Sequence, residues 1–144
     1  MDLKRLERLI AYRELLARQE RVALAEAAQM VRESGAERDD CIERRREEEA
    51  VVMTLSEVTA DELRRRHDHL QKLGVDLVAL SSRVQDMEEK LDERRDTMVA
   101  ARREVKTLEV LLKKEHAREK RAEGRRQQRI LDDLADRKHR GRLQ

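Results

Sequence analysis

An all-α fold, a long antiparallel two-helix coiled-coil hairpin whose second helix extends beyond the first, is what the sequence predicts. Three observations predict it. Every seventh residue from Leu63 to Leu112 is apolar: Leu63, Leu70, Leu77, Val84, Leu91, Met98, Val105 and Leu112. Seven residues make nearly two helical turns, so this row forms one seam on a helix, and a repeat held this long implies a supercoiled partner. Charged residues make up 46% of the 144, aromatics 1% with Tyr12 alone, and there is no proline. A globular core of this size normally draws on several aromatics, whereas this composition with a seven-residue period reads as coiled coil.

The first helix is expected over residues 1–54. Leu3, Ile10, Ala17, Leu24 and Val31 are spaced by seven, and Leu9, Leu16, Ala23 and Met30, one place earlier, widen the stripe. From Ser34-Gly35 to Glu49 the stripe thins to Ala36, Cys41 and Ile42, yet the Arg/Glu-rich run still suits a helix. Gly35 marks a weak point there. The turn is expected at residues 55–60, where Thr59 followed three places later by Glu62 has the form of a capping box. A reversal there sets residue i opposite roughly 114 − i, so that Met30 faces Val84, Ala23 faces Leu91, Leu16 faces Met98 and Leu9 faces Val105. The coiled-coil part of the second helix then covers residues 61–112. Gly74 is read as a helical glycine, because a break there would interrupt the seam between Leu70 and Leu77.

Residues 113–144 form a basic helical extension that frays from Gly141. They carry a net charge of +6, which leaves −4 for the first 112 residues of a chain whose total is +2. Arg118, Arg121, Arg125 and Arg129 share a helical face, and Ile130, Leu131 and Leu134 make a short apolar stripe with no chain left to cover it. An uncovered stripe on a basic helix suggests a docking surface.

Nothing in the pattern carries catalysis, a metal or a cofactor. The four glycines are isolated, so no phosphate loop is present. His67 and His69 diverge by ~200° on a helix and cannot share a metal. Cys41, the only cysteine, has no thiol partner, which fits a reducing compartment. Nucleic acid is disfavoured: Glu115, Glu119 and Glu123 interleave with the arginines, and no aromatic is available for stacking on bases. The start lacks a secretion signal and no run approaches the ~20 apolar residues of a membrane span, so a soluble, cytoplasmic protein is expected.

Four features together resemble the FliJ family of flagellar type III export and its YscO/SctO-type injectisome counterparts. They are the Leu3–Glu14 start with its alanine-rich continuation, the charged middle, the Lys106–Lys114 run, and the Leu131–Arg137 ending. The resemblance implies a non-enzymatic central-stalk protein that binds a hexameric export ATPase ring and couples it to the membrane export gate protein. It also implies contact with export chaperones, and a place at the cytoplasmic side of the inner membrane held through partners. By position, ring contact falls on Leu3, Leu6 and Ile10 with Arg118, Arg121, Arg125 and Arg129. Gate contact falls on Leu73, Leu77, Leu80 and Val84, which also lie on the seam. The flagellar system is favoured, and the injectisome stays open. The competing reading is a homodimeric coiled-coil scaffold or adaptor, paired through Leu63–Leu112 and unrelated to secretion.

Overall fold

In the computed structural model, which describes residues 2–143, the chain forms two helices: α1, Leu3–Thr54, and α2, Ala60–Arg142. They pack against each other as a helical hairpin, and no strand occurs among the described residues. The absence of proline lets each helix run on, and none of the four glycines takes a positive φ. Both helices open on a cap. The Asp2 carboxylate accepts the Lys4 N–H at 3.1 Å, and Thr59 Oγ1 accepts the Glu62 N–H at 3.2 Å. Each satisfies a first-turn donor that the helix leaves unpaired. Residues 55–59 join the two helices. Gly141, where the sequence reading begins the fraying, lies within α2.

The chain divides into two compact units. In the unit Arg18–Val99, cross-helix contacts define the pairing. Cys41 Sγ–H donates to the Leu73 carbonyl at 3.6 Å, Arg66 Nη1 meets Glu48 Oε1 at 3.0 Å, and Arg94 Nη1 approaches Glu20 Oε2 at 3.7 Å. All three pairs satisfy residue i opposite 114 − i. The core of this unit is thin: Cys41, Leu73, Val84, Leu91 and Met98 are buried, together with the polar Ser34.

One expectation about this seam is corrected. Met30 is level with Val84 but 52% exposed, because it points along the flank of the pair rather than into it. The inward rows of α1 are Leu24, Val31, Arg38, Arg45 and Val52, and Glu20, Ala27, Ser34, Cys41 and Glu48, all buried or half-buried. The second of these rows is largely polar, and the row of Leu9 and Met30, more apolar in sequence, lies beside the first row rather than in its place. Charge pairing across the helices is what admits it: Glu20 and Glu48 each meet an arginine of α2.

In the unit Met1–Ala17 with Ala100–Gln144, Leu6 and Ile10 are the buried residues of α1. They pair with a face of α2 on which Val105, Leu108, Leu111 and Leu112 are half-buried. Leu9, expected to face Val105, is 41% exposed for the same reason as Met30, and Ile10 takes the inward place. Arg13 Nη1 donates to Glu104 Oε2 at 2.7 Å across the pair. Beyond Leu112 only Glu115 and Ala122 are partly covered, and residues 123–143 are exposed throughout.

Candidate partner-binding surfaces

Leu3, Leu6 and Ile10 recur at heptad spacing, and the pairing of α1 with α2 turns all three inward. Leu6 is 1% exposed, Ile10 is buried and Leu3 is half-buried. Their direct role is to hold the start of α1 onto α2. The apolar side chains that this end of α1 presents outward are instead Leu9, Tyr12 and Leu15. Leu9 lines a shallow groove between the helices together with Arg13, Arg103, Thr107 and Leu108.

The four arginines of the extension stand differently. Arg118, Arg121, Arg125 and Arg129 are exposed, and their spacings of three, four and four keep them on one face. Among the described residues, the single ion pair any of them makes is Arg118 with Glu115, at 3.8 Å, on a side chain that is 80% exposed. Such a pair is worth at most about 1 kcal/mol, so the cationic stripe remains available to a partner. Ile130, Leu131 and Leu134 are all more than half exposed and are turned away from that stripe by the helical repeat. The extension thus offers a basic face and a separate short apolar one.

The residues read as contacting an export gate divide in two. Leu73 and Val84 are buried in the seam, while Leu77 and Leu80 are half-buried. The side chains that α2 exposes at this level are Val75 and Val78, three residues apart on one face. Sequence reasoning missed them because a seam that needs leucines draws attention to leucines. The signal available was their position outside both heptad rows.

No cluster of three or more potential metal-ligating side chains occurs among the described residues. No described helix is long and apolar enough to cross a membrane.

The protein is thus a long helical hairpin whose second helix continues into an extension exposed over residues 123–143. Residues 1–144 match the family described as flagellar FliJ protein, and the chain belongs to that family. No match is found among curated proteins or among solved structures. Family membership makes this a flagellar export-related protein.

Proposed function

We propose that this protein is a non-enzymatic central-stalk component of the type III export ATPase complex, binding the hexameric ATPase ring and coupling it to the membrane export gate on the cytoplasmic side of the inner membrane. Family membership supports the setting. The observation that carries the role is the α2 extension, fully exposed over residues 123–143 and bearing Arg118, Arg121, Arg125 and Arg129 on one face. A single helix is about 10–12 Å across, slim enough to enter a ring, and a stripe of exposed cations gives it a surface to bind an acidic lining. Leu3, Leu6 and Ile10 contribute by fixing α1 beside the root of the extension. Gate contact falls on Leu77 and Leu80 with the exposed Val75 and Val78, while Leu73 and Val84 support that face from beneath. Export chaperones are the third partner class, and the stripe Ile130, Leu131 and Leu134 is the surface offered to them.

The test is binding and stimulation of the purified export ATPase. The quadruple change Arg118→Glu, Arg121→Glu, Arg125→Glu and Arg129→Glu is expected to abolish both while leaving the helix content by circular dichroism unchanged. Full stimulation by this variant would overturn the ring-binding role. Separately, Val75→Asp with Val78→Asp is expected to weaken gate binding and to spare ATPase stimulation.

A further inference from the structure

Two of the four glycines lie inside the paired part of the hairpin, Gly35 in α1 and Gly74 in α2. A helical glycine costs about 1 kcal/mol against alanine, and that cost is normally offset by something only glycine permits. Neither usual reason applies here. Neither residue has a positive φ, and a Cβ built at either one meets nothing within 4 Å. No close approach of backbones and no special conformation calls for them.

Their placement is shared. Leu73 lies opposite Cys41 across the seam, so Gly74 lies level with Asp40, five residues along α1 from Gly35. Five residues is about 7.5 Å, so both helices are softened at nearly one level of the hairpin. Between Val31 and Cys41, the inward residues of α1 are Ser34, buried and polar, and Arg38, half-buried with its guanidinium turned to the neighbouring Asp39 at 3.3 Å. No apolar side chain of α1 enters the seam over that span. The one cross-helix ion pair at this level, Arg83 with Glu37 at 3.6 Å, joins side chains more than half exposed and holds little.

We infer that Gly35 and Gly74, with the polar seam residues Ser34 and Arg38, form a hinge within the hairpin, at which α1 and α2 open and bend together. Cooperative units that open below the global unfolding free energy are found where apolar contacts are few, and over this span α1 supplies no apolar side chain to the seam. A local rule broken in each of two paired helices at one level, with no local gain, points to motion as the use of the break. The inference is independent of which partners the ends bind.

Native-state amide hydrogen exchange on the full chain tests it. Amides of residues 33–40 and 73–80 are expected to exchange at least tenfold faster than those of residues 24–31 and 84–91. The single variants Gly35→Ala and Gly74→Ala separate a hinge from two local soft spots. In a hinge, either alanine slows exchange in both segments, by about fivefold, the factor that corresponds to 1 kcal/mol. Uniform exchange along the wild-type helices overturns the inference. So does an alanine that slows exchange only in its own helix, since that would describe two independent glycines.

Discussion

The ion pair between Glu20 and Arg94 occupies a seam position that an ordinary coiled coil would fill with leucine, and replacing both residues by leucine should make the protein more stable. The Glu20 side chain is 28% exposed and that of Arg94 51%. Full burial of a leucine is worth about 1.5–3 kcal/mol, so a seam leucine covered like Glu20 gains about 1–2 and one covered like Arg94 about half the full value. The pair they replace is separated by 3.7 Å and half exposed, and contributes about 0–1 kcal/mol. Helix propensities of Leu, Glu and Arg are nearly equal and cancel. The net expectation for Glu20→Leu/Arg94→Leu is a stabilisation of about 1–3 kcal/mol. Thermal unfolding followed by circular dichroism should rise by about 2–4 °C for each kcal/mol in a chain of this size. The single change Arg94→Leu should fare worse than the double, because Glu20 Oε2 is already buried without a hydrogen-bond partner and would lose the cation it pairs with. A double variant less stable than wild type by more than about 1 kcal/mol would refute the reasoning, because the charges would then outweigh the burial they displace.

Two further outcomes follow from the same packing. Leu6→Ala removes the one fully buried side chain and should cost about 2–5 kcal/mol, read as a lowered denaturant midpoint with the slope unchanged. Thr59→Ala removes the side-chain acceptor of the Glu62 N–H and should cost about 1 kcal/mol, with faster exchange confined to the first turn of α2.

Much of the hairpin was legible because α2 states it openly: of its row from Leu63 to Leu112, Val84, Leu91 and Met98 are buried residues of the seam. The facing side of α1 was half legible. The row of Ile10, Leu24 and Val31 reads as apolar and is inward. The row of Glu20, Ser34 and Glu48 reads as solvent-facing, and only the arginines across the seam explain why it is not. Apolar Leu9 and Met30 competed for that place and lost it, since an apolar side chain beside a coiled-coil seam is tolerated half-exposed. Exposed surfaces were legible at the extension, where no described residue of α1 covers Arg121, Arg125 or Leu134. They were not legible at Leu73 and Val84, because an apolar residue has the same pattern whether it meets its own chain or another's.

Heptad repeats resemble themselves, so a hairpin built only of leucine rows could slide by seven residues and find apolar facing apolar again. The charged seam positions remove that option. A slide of α1 by one heptad in one direction sets Glu48 against Leu73 and Arg66 against Leu55, and in the other it sets Arg66 against Cys41. Either movement separates Glu48 from Arg66 and places a half-buried charge against an apolar side chain, at a cost of several kcal/mol. The ion pairs therefore work as a vernier that admits one alignment. Within the unit Arg18–Val99 a ratchet of one helix past the other is thereby closed, which leaves bending and joint rotation of the pair as the motions open to it.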